Sequence, residues 1–174
     1  MTTSPIAIAP LDPADDADVE ALLDRAFGTG RHTRTAYKVR GDAQAIPELG
    51  FAAREDRTLI GSIQCWPIAL ARDDGTAHPL VMVGPVAVSP DRQRDGIGRR
   101  LVARALAAAA EHGLDGALML IGDPEYYGRF FGFSAEHTTG WRLPGPVERH
   151  RLLARGGDVP DAPGLLGPRH RAPV

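Results

Sequence analysis

Near the middle of the chain stands the segment Val86-Ala87-Val88-Ser89-Pro90-Asp91-Arg92-Gln93-Arg94-Asp95-Gly96-Ile97-Gly98-Arg99-Arg100-Leu101. An apolar run stops at Pro90, two glycines follow, and a helical pattern then begins, so the segment predicts a strand, a turn and a helix. The first turn of a helix leaves backbone N–H groups without helical partners, and these groups attract anions. Between Asp91 and Arg104 five arginines stand against two aspartates, a local net charge of +3. The segment therefore predicts a site for a polyphosphate.

Two familiar nucleotide motifs fit this turn poorly. A Walker loop ends in Gly-Lys-Ser/Thr, but Gly98 is followed by Arg99. A dinucleotide fingerprint needs a third glycine where Leu101 stands, and it opens the first βαβ unit of its fold. A plain strand-to-helix connection with two permissive glycines is the remaining alternative, and it gives no reason for the rest of the pattern.

The segment resembles the signature of the GNAT superfamily of N-acetyltransferases, Q/R-x-x-G-x-G/A. Gln93-Arg94-Asp95-Gly96-Ile97-Gly98 matches that signature, and Ala87-Val88-Ser89-Pro90 resembles the strand end that precedes it. Farther along, Gly122-Asp123-Pro124-Glu125-Tyr126-Tyr127-Gly128-Arg129-Phe130 with Gly132-Phe133 is similar to the G-D-P-x-Y-Y-x-R-F-G-F segment of one bacterial branch. The stretch 143–154 resembles the end of that branch, so the resemblance covers most of the chain.

One detail departs from the branch. A single phenylalanine usually precedes its Gly-Phe pair, whereas this chain has both Phe130 and Phe131. Tyr127 thus lies one residue farther from Gly132 than the resemblance implies. Whether Tyr126 or Tyr127 faces the cofactor stays open at this point, with Tyr127 the favoured residue.

The resemblance implies an enzyme that moves an acetyl group from acetyl-CoA to a primary amine by direct attack, without a metal. Coenzyme A would lie in a wedge between the fourth and fifth strands. The Val88 N–H would stabilise the oxyanion, and Tyr127 would protonate the departing thiolate. The implied cofactor contacts are with the pantetheine, from Val86, Ala87 and Val88, and with the diphosphate, from Gln93, Arg94, Asp95, Gly96, Ile97, Gly98 and Arg99.

The patterning along the chain agrees with a mixed α/β domain over residues 1–155. Apolar runs predict strands near Ile6 and over 50–54, 58–70, 80–88 and 117–121, with further strands after Phe133. Helical spacing predicts helices over 19–26, 33–40 and 98–112 and a short one from Pro124. With the family layout, this gives a GNAT-like twisted mixed sheet of about six or seven strands flanked by about four helices. Residues 156–174 contain eight glycines and prolines, which predicts an extended or partly disordered tail.

The composition indicates the class of protein and its cellular compartment. The 174 residues are 43% hydrophobic and 24% charged, which suits a single globular domain with one core. The net charge of −2 argues against a nucleic-acid partner. Cys65 is the single cysteine, the first residues lack the basic region of a signal peptide, and no apolar run could span a bilayer. We therefore expect a cytoplasmic protein with no membrane partner. The six histidines show no metal-ligand spacing, so no metal is expected.

Several points stay open at the level of sequence. Gly84-Pro85 predicts either a bulge that frees backbone groups or an ordinary edge strand. The general base could be Glu48, Glu55, His78 or a water relay. The basic segment 31–40 is either a solvated helix face or a surface for an anionic acceptor. The acceptor is a small-molecule or peptide amine, the protein a monomer or homodimer, and an acyl-CoA-binding sensor with little catalysis is the alternative function.

Overall fold

The computed structural model of the protein describes residues 5–93 and 95–169. Its helices are α1 Asp16–Phe27, α2 Thr35–Arg40, α3 Ile97–Glu111 and α4 Pro124–Phe131. Its strands are β1 Ile6–Pro10, β2 Phe51–Glu55, β3 Thr58–Arg72, β4 Ala77–Val88, β5 Leu118–Ile121, β6 Trp141–Arg142, β7 Leu152–Arg155 and β8 Gly164–Pro168. Two compact units result, and strands β3 and β4 run through both.

Unit 1 holds residues 5–31, 46–65 and 84–112 apart from Arg94. Its strands follow the order β1-β2-β3-β4, with β1 antiparallel to β2 and β2 antiparallel to β3. Helix α1 covers one face through a buried cluster, whereas α3 lies over the face that carries Ala53 and Gly61. Adjacent residues of a strand point to opposite faces, so the two helices sandwich this part of the sheet. The cluster under α1 consists of Val19, Leu22, Leu23, Ala52, Leu59 and Ala87.

Helix α3 shows why this part of the chain is helical. Its alanine-rich sequence has high helix propensity, and its buried residues recur at helical spacing along one stripe. The helix ends at Glu111, and Gly113 follows with a φ of 67°. The predicted helix 98–112 is thus confirmed with each end displaced by one residue. The buried stripe comprises Ile97, Leu101, Val102, Ala105, Leu106, Ala108 and Ala109.

Unit 2 holds residues 32–45, 66–83 and 113–169. Its strands follow the order β6-β8-β3-β4-β5-β7, in which β4–β5 and β6–β8 are parallel pairs. The core centres on Trp141, which is fully buried and donates its indole N–H to the Pro160 carbonyl at 3.1 Å. Residues packed around it include Val39, Ile68, Leu70, Leu80, Met119, Leu152 and Leu166.

Strand β8 lies inside the segment for which composition predicts an extended or partly disordered tail. It pairs antiparallel with β3, where Ile68 lies opposite Pro168, and its Leu166 side chain is buried in the unit 2 core. Residues 164–168 of the predicted tail are therefore extended, as one of the two alternatives has it, and are ordered as a strand of the sheet. This strand also brings the described sheet to eight strands, one more than expected, while the four helices and the mixed α/β class are as predicted.

The backbone at Gly84 departs from a regular strand. Gly84 has a φ of 111°, and the Gly84–Pro85 peptide bond is cis. The parallel pairing of β4 with β5 joins Val81 to Leu118 and Met82 to Met119, both ahead of this point. The sequence left two interpretations of Gly84-Pro85, a bulge and an ordinary edge strand. A positive φ does not fit an ordinary edge strand.

The longest of the described helices, α3, has 15 residues. No described helix combines the length and the apolar character that crossing a membrane requires.

Candidate functional site

The glycine turn leaves β4 through a set of short backbone links, all within unit 1. The Ser89 N–H donates to the Ile60 carbonyl at 2.8 Å, which ties the turn to β3. The Arg92 N–H then donates to the Ser89 carbonyl at 2.8 Å, closing a 3-10 turn over Pro90–Arg92. The Ser89 hydroxyl donates to the Asp91 carboxylate at 2.6 Å, and this bond lowers the pKa of Asp91. The shape of the turn is thus held by hydrogen bonds within the protein.

Arg92 holds the outer part of the turn. Its guanidinium donates to Glu55 at 2.6 Å and to Asp95 at 2.7 Å. These two carboxylates raise the pKa of Arg92 above its usual value. Arg92 and Asp95, both counted in the local net charge of +3, therefore pair with each other. Glu55, from β2, neutralises more of that positive charge. We conclude that Arg92 and Asp95 shape the turn. Glu55, which the sequence offers only as a candidate base, belongs to the turn through an ion pair that the sequence did not reveal.

Gly96 starts helix α3 in a left-handed conformation, with φ 72° and ψ 15°. Gly96 has no side chain with which to cap the helix, and its carbonyl accepts the Arg100 N–H at 3.2 Å. The amides of Ile97 and Gly98 precede the first i to i−4 bond of the helix, so helical geometry supplies them no acceptor. The Ile97 side chain is fully buried and fixes where this first turn lies.

Gly98 lies beside the end of β4. A Cβ on Gly98 would meet Val88 Cγ2 at 3.7 Å and Val86 Cγ1 at 3.8 Å, which is ordinary van der Waals contact. A methyl group fits there, in keeping with the signature that accepts glycine or alanine at this position. Ala87, between these valines, is buried in the cluster under α1. The structure therefore places Val86, Val88 and Gly98 beside one another, and their contacts with the cofactor stay predictions.

The remaining predicted contacts fall at the rim of the turn. Gln93, Asp95 and Arg99 are exposed. Arg94 lies outside the described residues, so its predicted contact with the cofactor stays a prediction.

The second predicted motif forms the start of helix α4 in unit 2. The Asp123 carboxylate caps the helix by accepting the Glu125 N–H at 3.0 Å, and Pro124 occupies the first turn. Gly122 lies under the ring of Tyr127, since a Cβ there would come within 2.6 Å of Tyr127 Cε2. Gly122 thus makes room for the Tyr127 ring, Asp123 caps α4, and Pro124 sets the backbone conformation of the first turn. Together these three residues position Tyr127.

Tyr127 is half-buried in an aromatic cluster. Its ring lies 4.9 Å from the ring of Tyr126, edge to face, and 6.3 Å from that of Phe133. Burial raises the pKa of Tyr127, and the neighbouring Tyr126 adds to that rise. The hydroxyl is therefore protonated at neutral pH. The extra phenylalanine is accommodated because α4 extends to Phe131 before Gly132 ends it with a φ of 74°.

A profile of the acetyltransferase (GNAT) family matches residues 17–133, which include the glycine turn and α4. The chain belongs to the GNAT acetyltransferase family. The predicted resemblance is confirmed by this match, and the predicted fold by solved GNAT structures. A GNAT N-acetyltransferase of Escherichia coli, YhbS, solved in complex with CoA, superposes with a TM-score of 0.74 at 24% identity and covers 97% of this chain and 94% of that one.

Other relatives agree. A GNAT family acetyltransferase of Brucella melitensis, solved with acetyl-CoA, is 25% identical, with a TM-score of 0.58 over 87% of this chain and 96% of that one. An uncharacterized N-acetyltransferase of Streptomyces avermitilis is 24% identical over 141 residues, 81% of this chain and 34% of that protein. The chain thus spans about a third of that relative's length. The uncharacterized N-acetyltransferase YjhQ of Escherichia coli is 25% identical over 80% of this chain and 77% of its own length.

The candidate bases of this GNAT protein have different surroundings. The Glu55 carboxylate is engaged by Arg92. Glu48 is exposed in the turn Pro47–Leu49, and His78 is half-buried in β4. Cys65 is buried, which raises the pKa of its thiol to about 12 and suits a packed core residue. Among the described residues no group of three or more His, Cys, Asp or Glu side chains could hold a metal ion.

The basic residues of the segment 31–40 differ in how deeply they are buried. Arg31 is 3% exposed and forms ion pairs with Glu20 and Asp24 of α1, so it is a structural link within unit 1. Arg34 and Lys38 are exposed, and Arg40 is half-buried. The sequence, which shows no acid from residue 28 to residue 40, did not reveal the pairing of Arg31.

Proposed function

We propose that the protein transfers an acetyl group from acetyl-CoA to a primary amine, with the glycine turn before α3 holding the coenzyme's diphosphate. The observation that carries this proposal is the first turn of α3, where Gly96 adopts φ 72° and Gly98 lies against Val86 and Val88. The amides of Ile97 and Gly98 and the positive end of the helix dipole suit an anion at this point. The Brucella melitensis relative, solved with acetyl-CoA, supports the choice of ligand.

The pantetheine would pair with the backbone of Val86, Ala87 and Val88. Within unit 1 these residues belong to β4, the last strand of the order β1-β2-β3-β4. Past Val81 and Met82, where it pairs with β5, strand β4 can offer N–H and C=O groups to an extended ligand with amide groups of its own. Gly84, with φ 111°, bends the strand just ahead of them.

The chemistry would be a direct attack of the amine nitrogen on the thioester carbonyl. An N–C bond forms, the carbonyl oxygen gains charge, and the C–S bond then breaks to release a thiolate. The N–H of Val88 would stabilise the oxyanion. Tyr127 would give its proton to the thiolate, and the raised pKa keeps that proton in place at neutral pH. The proton of the attacking amine would pass to a base or to water.

The acceptor would be a small-molecule or peptide amine. A lysine-like amine has a pKa of roughly 10.4, so the site must favour its neutral form by desolvation or by a base. With Glu55 held by Arg92, a water relay suits the base better than Glu55 does.

The test has a binding arm and a turnover arm. Calorimetry with acetyl-CoA, ATP and NAD measures whether the turn is selective for the coenzyme. Thiol release from acetyl-CoA is then followed across amino acids, polyamines and peptides, comparing the wild type with Tyr127→Phe and Tyr126→Phe. We expect acetyl-CoA binding with amine-dependent release, and Tyr127→Phe to lower kcat without changing the Kd for acetyl-CoA. Selective binding without release would favour the acyl-CoA sensor, and selective binding of ATP or NAD would contradict the proposal.

A further inference from the structure

Arg151 lies opposite Gly122 in the sheet of unit 2. Strands β5 and β7 run antiparallel with Ile121 opposite Leu152, and the pairing continues by one residue because the Gly122 N–H donates to the Arg151 carbonyl at 2.9 Å. The side chains of Ile121 and Leu152 belong to the unit 2 core, so the next position on each chain faces the other side of the sheet. The Tyr127 ring lies on that side, over Gly122. Arg151 therefore projects from the sheet on the side that holds Tyr127.

Hydrogen bonds fix the backbone on both sides of Arg151. Leu152 is fully buried, and its carbonyl accepts the Thr138 hydroxyl at 2.8 Å. The Arg149 guanidinium donates to three carbonyls of residues 138–141, at 2.6, 2.7 and 3.1 Å. The Arg151 side chain is itself exposed. The fold thus holds the backbone of Arg151 in place and leaves its cationic side chain at the surface, next to the aromatic cluster of α4.

Among the described residues, three titratable side chains act on the hydroxyl of Tyr127. Helix α4 contributes Tyr126 and the cap Asp123, the segment before β7 contributes Arg151, and β5 presents only apolar side chains. Burial raises the pKa of Tyr127 most, Tyr126 raises it further, and Asp123 adds to the rise. The Arg151 cation acts in the opposite direction and lowers that pKa. Of these groups only Arg151 favours the ionised form of Tyr127.

The ionised form matters because an acid must give up its proton. When Tyr127 protonates a thiolate, its O–H bond breaks, an S–H bond forms, and a phenolate with one negative charge remains until it takes a proton from solvent. A phenol with a pKa of about 10 gives a proton to a thiolate, whose thiol has a pKa of roughly 8.5, only at a cost in free energy. Burial makes the phenolate still less favourable, and a cation beside it offsets part of that cost.

We propose that Arg151 is a positioning residue that stabilises the phenolate of Tyr127 and so strengthens Tyr127 as the acid that protonates the departing thiolate. The catalytic part deepens the proposed function and rests on it, whereas the effect of Arg151 on the Tyr127 hydroxyl depends only on residues of unit 2. Arg151→Met removes the charge and keeps most of the length of the side chain. Arg151→Lys keeps the charge and loses the planar guanidinium. Because Arg151 acts through its charge, lysine should replace it.

A titration of the hydroxyl needs no turnover. The three tyrosines, Tyr37, Tyr126 and Tyr127, are replaced by fluorotyrosine, whose hydroxyl is more acidic than that of tyrosine. Each fluorine NMR signal is assigned from the variant in which that tyrosine is phenylalanine, and circular dichroism at each pH shows that the protein is folded. We expect the midpoint of the Tyr127 signal to lie at higher pH in Arg151→Met than in the wild type, and close to the wild type in Arg151→Lys.

Arg129→Met is the matched control. Arg129 is exposed on α4, its guanidinium carbon lies 5.4 Å from the Phe130 ring centroid, and it stands two residues from Tyr127, a spacing at which helical side chains do not face each other. The Tyr127 midpoint should therefore move less than in Arg151→Met. High salt should shrink the difference between the wild type and Arg151→Met, because salt screens exposed charges. An unchanged midpoint in Arg151→Met, or an equal rise in Arg129→Met, would overturn the proposal.

Turnover then tests the catalytic part. Arg151→Met should lower kcat for acetyl transfer at neutral pH by roughly twofold to fivefold, the size of an interaction with one exposed charge, without changing the Kd for acetyl-CoA. Its kcat should begin to fall at a higher pH than that of the wild type, because a weaker acid keeps its proton to higher pH. In a Tyr127→Phe background, Arg151→Met should change kcat no further. A loss of kcat that is the same at every pH and persists in Tyr127→Phe would contradict the catalytic part.

The two readouts separate this inference from the proposed function. A midpoint that moves as expected in a protein without acetyl transfer would refute the proposed function and leave the link between Arg151 and Tyr127 standing. Acetyl transfer together with an unchanged midpoint would refute the inference and leave the proposed function standing.

Discussion

Replacing Gly96 with alanine separates the conformational role of the turn from its role in binding. Gly96 has φ 72° and ψ 15°, and apart from its chain neighbours no heavy atom of the described residues would lie within 4 Å of a Cβ there. The loss of stability thus comes from the backbone alone, about 1–2 kcal/mol for a left-handed alanine. For a chain of this size that lowers Tm by roughly 2–8 °C.

Gly113, just past the other end of α3, is a matched control. Its φ is 67°, and a Cβ there would likewise meet nothing within 4 Å among the described residues. Gly113→Ala should therefore lose as much stability as Gly96→Ala. Only Gly96→Ala should weaken acetyl-CoA binding, by about tenfold or more, since relief of the strain turns the first amides of α3 away from the diphosphate; tenfold corresponds to about 1.4 kcal/mol.

Thermal unfolding measures the two losses of stability and shows that each variant is folded at 25 °C, and calorimetry at that temperature then measures acetyl-CoA binding. Equal Kd values for acetyl-CoA in the two variants would refute the argument that the Gly96 turn holds the coenzyme. A Gly113→Ala protein as stable as the wild type would refute the backbone estimate itself.

Three further substitutions or conditions test other parts of the structure. Gly122→Ala places a methyl group 2.6 Å from the Tyr127 ring, so we expect the free energy of unfolding to fall by about 1–3 kcal/mol from overpacking. The kcat should fall and the Kd for acetyl-CoA should stay unchanged, whereas unchanged turnover would count against Tyr127 as the acid. Arg92→Met and Glu55→Gln break the same ion pair, and Arg92→Met also removes the bond to Asp95. Each should weaken acetyl-CoA binding, and the double variant should bind no more weakly than Arg92→Met alone, whereas additive losses would show independent roles. The hydrogen bond from Arg54 lowers the pKa of Asp15 below its usual value. As the pH drops below about 4, the unfolded chain therefore binds a proton at Asp15 more readily than the folded protein does, and the free energy of unfolding should fall. Asp15→Asn should flatten that fall in acid denaturation curves.

The local parts of the fold were predictable from sequence. Helix α3 differs from its predicted bounds by one residue at each end, because its alanine run, apolar stripe and closing glycine all lie within the segment. The same holds for the start of α4, which was predicted at Pro124 and begins there. The strand, turn and helix order of the segment 86–101 was predictable for the same reason, since β4, the turn and α3 follow one another directly in the chain.

Pairings between distant parts of the chain were not predictable. Arg92 pairs with Glu55, which is 37 residues away in sequence, and no local pattern signals such a contact. The glycine and proline content of the last segment predicts an extended or partly disordered tail and gives no sign of a strand in the sheet. Gly164 lets β8 approach β3 closely, since a Cβ there would lie 2.6 Å from the Ala71 carbonyl oxygen. Glycine frees a chain in one setting and permits close packing in another, and composition alone does not distinguish the two.

Amide chemical shifts of the labelled protein would test the diphosphate site most directly. Coenzyme A and pantetheine differ by the diphosphate and nucleotide, so titrating each one separates the contacts of the two halves of the ligand. The account predicts that the Ile97 and Gly98 amides shift with coenzyme A and not with pantetheine, while those of Val86 and Val88 shift with both. If the amides of Ile97 and Gly98 keep their shifts at saturating coenzyme A, the turn does not hold the diphosphate.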